Sequence, residues 1–572
     1  MIIKNQWKYI CFIFTALLLM IPSFVSASTL SDKVEDVATD KEWRITFNYP
    51  VDGNTVNNNS IYVTDSQNVK QDVTYSVNGK TVTVHPPSKG YENGKAYTLH
   101  ITKAVSGMVN NKIKPLNQTI SKPFKIAEGG YSVVTIQTDG TSTEVANYKT
   151  FEEANRNLKA NQGIMKNGEY LKIPSGIVST NVLTVYYGDT AFKKDYGGIA
   201  ANNELAYVDS TEDYVKVNVA GQEMYVKHKD VKLIPAPNVK SYYTANNTGL
   251  YHYVYRPNTG KYDGAYLIGK KPNFMTNGEK YYSVDGINFY DTSGNFVGKS
   301  YSYFQYVSPR VSTSYTAAQL DQYIASVLQE RQSTGQSKYA NATTKSQLIG
   351  LGTKLKALEK EKRLNALFIL SLAIHESDYG MSCHAQYYNN LFGLNVPDHN
   401  DSCSSVVDKD SPKYFTSIDK NINDFINSIN STYFNPLKMG DYQYNGVALG
   451  NKMIGMNVRY ATDPYWGSKT AGHMYRIDQA LGGKDYKKYQ VGITTTEQVS
   501  VRTEPIVINT PPTNRAYQYL VYGSIKRLDK MPITLSNTPS EDPKWYRVIS
   551  EIPTSDADLY TVVENVEIVP TH

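Results

Sequence analysis

The chain has 572 residues and a formal net charge of +6, which is small for a protein of this length. One domain usually takes about 100–200 residues, so the length predicts several domains. A charge so close to balance gives no indication of nucleic-acid binding, for which a strongly basic domain is typical. The nine histidines are scattered, without an HExxH motif or matching metal spacing, which disfavours a zinc peptidase.

Residues 1–27 predict a signal peptide. Lys4 and Lys8 precede an apolar run from Tyr9 to Met20, and Val25-Ser26-Ala27 is a small-residue cleavage site. In the sequence, no second apolar run is long enough to cross a bilayer. We therefore expect a secreted mature chain without a stable membrane anchor.

Residues 28–128 alternate between apolar and polar positions, as Trp43, Ile45 and Phe47 illustrate. The pair Asn78-Gly79 is typical of a tight hairpin turn. Short strands at regular spacing predict a β-sandwich. The stretches WRITFNYPVDGNTVNNNSIYV and GKTVTVHPP resemble the Ig-like modules of bacterial surface-layer and wall proteins, which implies a spacer or adhesive role.

Two further stretches predict small β-barrels. Residues 129–237 begin as a mixed segment with a helical pattern from Thr150 to Asn161, and short strands follow from Leu183 to Pro235. Residues 489–572 show a similar pattern of short strands in VSVRTEP, KWYRV and VENVEIVP. Both resemble bacterial SH3-like domains, which implies binding of wall peptides. The alternative is a barrel that merely packs on its neighbour. For the C-terminal copy we expect a separable module whose removal spares hydrolysis of short glycans.

Residues 238–312 are rich in tyrosine, for example in GEKYYSVDGINFY. Tyrosine suits stacking on sugar faces, although aromatic residues are also common in any strand and most often pack in the core. We expect a β module that abuts the next domain.

Residues 313–488 predict a mainly helical domain. Its centre is the apolar run from Leu364 to Ile374, which is too short for a bilayer and therefore predicts a helix buried in a globular core. Further amphipathic helices are predicted at Ala317 to Arg331, Ile418 to Phe434 and Ser468 to Leu481.

The buried helix ends at His375-Glu376-Ser377-Asp378, with Gly380 as its stop. Apolar surroundings and the negative end of the helix dipole both disfavour a charged Glu376, so we expect its pKa to rise. A carboxylic acid that stays protonated near neutral pH is what a glycosidase needs to protonate a leaving sugar oxygen. The alternative is a frayed helix end with a solvated carboxylate.

Three motifs in this order resemble the glucosaminidase family of peptidoglycan hydrolases (glycoside hydrolase family 73): A-x-x-E-S-x-x-G at Ala373, NNLFGL at Asn389 and YATDPYWGSK at Tyr460. The first motif alone would also fit lytic transglycosylases. The resemblance implies a lysozyme-like fold with Glu376 as general acid and Tyr460 beside it in the cleft. The implied substrate-binding residues are Asn390, Phe392, Gly393, Tyr465 and Trp466.

A second catalytic carboxylate is harder to assign. The candidates downstream of Glu376 are Asp398, Asp401, Asp408, Asp410 and Asp419. Asp419 is the preferred second carboxylate, because it begins a strongly patterned helix that holds it in place. An Asp in a first helical turn also stabilises that helix, so a purely structural role is the alternative. Another route needs no second carboxylate, because the N-acetyl group of the substrate can attack the anomeric carbon with help from Tyr460.

Cys383 and Cys403 are the two cysteines outside the signal peptide, and export predicts that they form a disulfide. A Cys₂His₂ metal site with His384 and His399 is the alternative, but its usual spacings are absent. We expect neither a metal nor a cofactor.

Together these observations predict a multidomain, secreted and wall-associated hydrolase: a mainly α catalytic domain flanked by all-β modules. It would cleave the β-1,4 bond after N-acetylglucosamine in peptidoglycan strands, with wall peptides as candidate second ligands. Transglycosylase or muramidase-type cleavage, or wall binding without catalysis, are the alternatives.

Overall fold

A computed structural model describes residues 17–18, 35–37, 39–88, 90–92, 94–109, 112–126, 130–219, 221–257, 259–396, 403–438, 443–508, 510–522, 526–527 and 530–572. They form two compact units, the first made of residues 1–176, 209–213 and 232–238, the second of 177–208, 214–231 and 239–572. Apart from Leu17–Leu18, the predicted signal peptide lies outside the described residues. Among those residues, no helix has the length and apolar character needed to cross a membrane.

The first unit begins with the predicted β-sandwich. Gly79, at a φ of 57°, makes the turn between two antiparallel strands. Trp43 and Phe124 meet between the sheets, with ring centroids 5.0 Å apart. In spatial order, one sheet contains Leu17–Leu18, Trp43–Thr46, Thr81–His85 and Thr74–Asn78, and the other contains Glu35–Val37, Ile120–Ile126, Ala96–Ile101 and Ile61–Asp65. A separate hairpin pairs Ser106–Val109 with Lys112–Pro115.

The same unit contains a smaller sheet with one helix. Phe151–Arg156 (α1) is shorter than the predicted helix. Its buried residues, Phe151 and Ala154, both lie in the first four positions, and the next strand begins at Gln162. Thr150 caps the helix by accepting the N–H of Glu153 at 3.2 Å. In spatial order, the strands are Ser142–Tyr148, Tyr131–Ile136, Gln162–Lys166 and Glu169–Lys172.

Short strands follow, as the sequence predicts, at Gly176–Thr180, Thr184–Tyr187, Asp195–Ile199, Glu204–Ser210, Tyr214–Val219, Gln222–Lys227 and Val231–Pro235. The tyrosine-rich stretch then forms a sheet with the strand order Lys261–Gly269, Gly249–Arg256, Tyr242–Asn246 and Lys280–Tyr281, and a hairpin of Asn288–Tyr290 with Phe296–Lys299. Tyr243 and Phe289 lie in its core. The sheet abuts the helical domain, because a Cβ built on Gly472 would lie 1.7 Å from the carbonyl oxygen of Leu267.

The predicted helical domain is present. Its most clearly amphipathic helix, Ile418–Ser431, buries Ile422, Phe425, Ile426 and Ile429 on one face. The helices of the second unit are Tyr303–Tyr306 (α2), Ala317–Ser333 (α3), Ala342–Lys345 (α4), Gly352–Lys362 (α5), Ala366–Ser377 (α6), Cys383–Tyr388 (α7), Ile418–Ser431 (α8) and Trp466–Ala480 (α9).

The C-terminal strands share one hydrophobic core with these helices. Arg310 is 5% exposed and donates to the carbonyl oxygens of Phe434 (2.7 Å) and Glu551 (3.2 Å). Glu551, in turn, accepts from the hydroxyl of Tyr444 at 2.9 Å. A shared core does not support the expectation of a separable C-terminal module. The strands are Val491–Thr494, Gln498–Arg502, Arg515–Tyr522, Lys526–Arg527, Pro532–Thr534, Trp545–Val548, Leu559–Val562 and Val566–Ile568.

Candidate active site

The buried helix α6 carries Glu376 at its carboxyl end, as predicted. Asn365 caps the first turn, where its side-chain oxygen accepts the N–H groups of Leu367 (2.8 Å) and Phe368 (3.2 Å). Asp378 ends the helix in the left-handed region, at a φ of 49°. Almost every side chain between these ends is buried. The helix is therefore held from all sides, and its last turn has a fixed position.

Glu376 is partly exposed and contacts residues from both downstream motifs. The indole N–H of Trp466 donates to its Oε1 at 2.5 Å. Its Oε2 lies on the side of Gly393, where a built Cβ would be 4.0 Å from that oxygen. Gly393 also has a φ of 62°, which favours glycine. The structure thus brings Glu376, Gly393 and Trp466 together, although Trp466 lies 90 positions after Glu376 in the sequence.

Tyr460 lies beside the same carboxyl group. Its ring is 4.7 Å from that of Trp466 and 5.6 Å from that of Tyr433. Burial raises the pKa of the Tyr460 phenol well above its usual range, and the negative charge of Glu376 adds to this. The phenol therefore stays protonated at neutral pH and can act as a hydrogen-bond donor.

A cavity of about 410 Å³ opens next to Tyr460. One wall is the strand Asp195–Ile199 with Tyr186 behind it, whose hydroxyl donates to the carbonyl of Val458 at 3.1 Å. The guanidinium of Arg459 lies 5.5 Å from the centre of the Tyr196 ring. The cavity is thus built from the strands of residues 177–208 and 214–231, the β-rich segment, together with the helical domain.

Asp463 and Lys469 fix the turn that begins α9. Lys469 Nζ lies 2.6 Å from Asp463 Oδ2, and the N–H of Tyr465 donates to Oδ1 at 2.9 Å. The charge of Lys469 and these hydrogen bonds outweigh burial, so the pKa of Asp463 falls below its usual value. Neither residue was predicted to belong to the site, although both lie inside the YATDPYWGSK motif.

His375 precedes the acid and is neutral. Burial lowers the pKa of its imidazole to about 4, and the nearby Lys469 acts in the same direction. Its ring lies 5.8 Å from that of His473, whose pKa burial also lowers. At neutral pH, His375 therefore adds no positive charge beside Glu376.

Two residues of the NNLFGL motif hold the loop. Asn390 is 1% exposed; its side chain donates to the carbonyl of Leu394 at 2.8 Å and accepts the N–H of the same residue. Phe392 is 2% exposed and stacks on Phe425 with ring centroids 3.9 Å apart. This burial places both side chains in the interior of the domain, and their contact with substrate stays a prediction. Gly393 is the member of this motif that faces Glu376.

The other predicted residues lie around this centre. Tyr465 is partly exposed, with its hydroxyl 3.3 Å from Glu204 Oε2. Asp419 lies in the first turn of α8 with its side chain 63% exposed, and its Oδ2 is 3.7 Å from Lys354 Nζ. The helix cap is Ser417, which accepts the N–H of Lys420 at 3.1 Å. The catalytic role of Asp419 stays a prediction.

The predicted disulfide between Cys383 and Cys403 is confirmed, with a Cα–Cα distance of 6.1 Å. It connects the first residue of α7 to a residue 20 positions further along the chain. Asp398, His399 and Asp401 lie outside the described residues. Within the residues that are described, no group of three or more His, Cys, Asp or Glu side chains could hold a metal ion.

Two stretches match known families. Residues 352–479 match the family described as mannosyl-glycoprotein endo-beta-N-acetylglucosaminidase, and residues 21–125 match the bacterial Ig-like domain. The first match covers α5 to α9 and all three motifs, and the second covers the β-sandwich. The predicted resemblances to glucosaminidases and to Ig-like modules are thereby confirmed.

Proteins similar to this chain come from Streptococcus pneumoniae and S. aureus. Putative endo-beta-N-acetylglucosaminidases of Streptococcus pneumoniae TIGR4 and R6 are each 30% identical over 279 residues, or 48% of this chain and 36% and 34% of theirs. The chain thus spans about a third of the length of these relatives. A crystal structure of a catalytic mutant of S. aureus Autolysin E with the disaccharide NAG-NAM is 19% identical, with a TM-score of 0.23, over 33% of this chain and 82% of that chain.

Proposed function

We propose that this chain is a peptidoglycan hydrolase that cleaves the β-1,4 bond after N-acetylglucosamine, with Glu376 as general acid. The observation that carries the proposal is the position of Glu376. It lies at the end of a buried helix, between the indole of Trp466, the phenol of Tyr460 and a glycine that leaves room for a ligand. The names of the pneumococcal relatives describe the same activity.

In this mechanism Glu376 gives its proton to the glycosidic oxygen of the leaving sugar. Trp466 holds Oε1, so Oε2 on the side of Gly393 is the oxygen that faces substrate. Once the proton has left, the indole N–H stabilises the new carboxylate, because a hydrogen bond to the charged form favours it. The neutral His375 neither competes as a donor nor holds the carboxyl group in its ionised form.

Positive charge then develops at the anomeric carbon. Asp419 is the proposed second carboxylate, and the substrate's own N-acetyl group is the alternative. In both cases the protonated phenol of Tyr460 can orient polar groups of the sugar beside the acid. An Asp419→Asn variant separates the two routes, since it should lose most turnover only if that carboxylate takes part.

We propose further that the helical domain is lysozyme-like, that the strands in 176–235 and 491–572 form SH3-like barrels, and that the protein is secreted to the cell wall. The supporting observations are the short antiparallel strands in both stretches and the disulfide, which is typical of exported proteins. Wall peptides are the proposed second ligand of the barrels.

Digestion of purified cell-wall sacculi tests the activity. Mass spectrometry should find products with N-acetylglucosamine at the reducing end. Glu376→Gln should abolish them, because the amide keeps the shape but cannot donate a proton to the leaving oxygen. Glu361→Gln is the matched control, since its side chain is 64% exposed on α5. Anhydro-muramic ends would identify a transglycosylase, and full activity in Glu376→Gln would overturn the assignment of the acid.

A further inference from the structure

Glu204 contacts a residue next to the candidate active site from outside the helical domain. It is the first residue of the strand Glu204–Ser210 in the β-rich segment. Its Oε2 accepts the hydroxyl of Tyr465 at 3.3 Å, and its Oε1 accepts that of Ser241 at 2.6 Å. The proposed reaction uses neither Glu204 nor this contact.

Tyr465 is held at each of its other parts. Its N–H donates to Asp463 at 2.9 Å, and its carbonyl oxygen accepts the N–H of Lys469 at 2.9 Å, which begins the hydrogen bonding of α9. Its ring lies edge-on against the imidazole of His252, with centroids 4.8 Å apart. The phenol hydroxyl is the end of the side chain that Glu204 fixes.

The next residue along the chain is Trp466, whose indole N–H contacts Glu376 at 2.5 Å. A shift of Tyr465 would therefore move the group that orients the acid. A hydrogen bond weakens when its donor is displaced or turned away from the acceptor. The Tyr465–Trp466 turn is thus a direct mechanical connection between the strand of Glu204 and the carboxyl group.

The surroundings of Glu204 are also ordered. Arg256 donates to the carbonyl of Asn202 and to Asn203 Oδ1, both at 2.7 Å, and so holds the chain just before Glu204. Burial raises the pKa of Glu204 to about 7, while the hydrogen bonds from Ser241 and Tyr465 and the charge of Arg256 act in the opposite direction. The contact therefore forms in a sheltered and defined environment.

We propose that Glu204 is a positioning residue for the active site: through Tyr465 it fixes the turn that presents Trp466 to Glu376. The proposal rests on the proposed function for its kinetic consequence. It assigns to the β-rich segment a role in the acid step itself, in addition to any binding of wall peptides.

Kinetics on a soluble glycan test this role. Glu204→Ala and Tyr465→Phe should each lower kcat by about 10-fold to 100-fold with little change in KM, because a displaced catalytic group loses rate rather than ground-state binding. The double variant should be no slower than either single variant, since both remove the same contact. Glu204→Gln should recover most of the rate, because its amide oxygen still accepts the hydroxyl of Tyr465. Glu223→Ala is the control, on the same segment but 57% exposed and paired with Lys216.

A second measurement does not depend on activity. The indole N–H resonance of Trp466, assigned with Trp466→Phe, should shift in Glu204→Ala and Tyr465→Phe but stay in place in Glu223→Ala. Tyr465→Phe removes only a hydroxyl group, which keeps the test valid if Glu204→Ala does not fold. An unchanged resonance, or rate losses that multiply in the double variant, would overturn the positioning role. An inactive wild type with the expected shift would instead overturn the proposed function alone.

Discussion

The β-sandwich and the C-terminal strands bury their apolar residues in different ways. The sandwich has a core of its own, in which Trp43, Leu99 and Phe124 are almost fully buried. The C-terminal strands instead contribute Val499, Tyr519 and others to the core of the helical domain. Both regions have the same short strands and turns. A strand pattern therefore predicts a β module, but does not reveal whether the module completes its own core.

Polar contacts reinforce this difference. Arg310 lies in the loop between α2 and α3, and its guanidinium is buried against carbonyl oxygens of both the helical domain and the C-terminal strands. Such a group is costly to bury unless every donor has a partner. The helical domain and the C-terminal strands should consequently unfold together, and four experiments test this.

Truncation after residue 490 should have the largest effect. It removes the strands that cover the helices and leaves Arg310 without one of its acceptors. Each large apolar side chain removed costs about 2–5 kcal/mol, and the total stability of a domain is only about 5–15 kcal/mol. Circular dichroism should therefore find no cooperative melting of the helices. A truncated chain that melts cooperatively and cleaves soluble glycans would break the comparison.

Arg310→Met should destabilise the shared core by about 3–5 kcal/mol, because it leaves several buried carbonyl oxygens, among them those of Phe434 and Glu551, without their donor, at about 1–3 kcal/mol each. Denaturant unfolding followed by helical circular dichroism measures this. Arg44→Met is the matched control, since Arg44 is exposed on the sandwich and its loss should leave the helical transition in place. Equal effects of the two changes would contradict the proposed difference.

Leu99→Ala should lower the stability of the sandwich by about 2–5 kcal/mol through the cavity that it leaves. Because the sandwich has its own core, the helical transition and the hydrolysis of soluble glycans should stay unchanged. Calorimetry resolves the two transitions. A parallel loss in both would mean that the sandwich is as strongly coupled to the helices as the C-terminal strands are.

The pH dependence of the shared core should give the smallest effect. Burial raises the pKa of Glu551 from 4.5 to about 7 in the folded state. Between these values the folded chain binds a proton that the unfolded chain has released, so stability falls as pH rises from about 4.5 to 7. We expect a loss of about 1–3 kcal/mol. Thermal melts of Glu551→Gln should lack this component, and an identical pH profile in both proteins would contradict the assignment.

Local patterns predicted most of the elements. The run from Leu364 to Ile374 predicted a buried helix, and the observed start at Ala366 differs only because Asn365 serves as the cap. Likewise, the alternation around Trp43 predicted a strand. Such a pattern depends only on residues within one or two turns of each other, so the local sequence is enough to predict the element.

Contacts between distant residues had no such signal. Trp466 and Glu376 are 90 positions apart, and nothing near either residue announces their hydrogen bond. The stacking of Phe392 on Phe425 was hidden for a related reason, because an aromatic side chain in a loop motif has the same sequence pattern whether it stacks on a sugar or on another ring. The partners of Arg310 are equally invisible before folding.

The contact between Arg310 and Glu551 also has a consequence in time. The two residues are 241 positions apart, and a chain is made from its amino end. The helices that present Glu376 therefore emerge long before the strands that complete their core, and contacts so distant in sequence form slowly. Until those strands have been made, Glu376 is present but the hydrophobic core around its helix is incomplete. The order of synthesis itself thus delays the moment at which the candidate active site can first be complete.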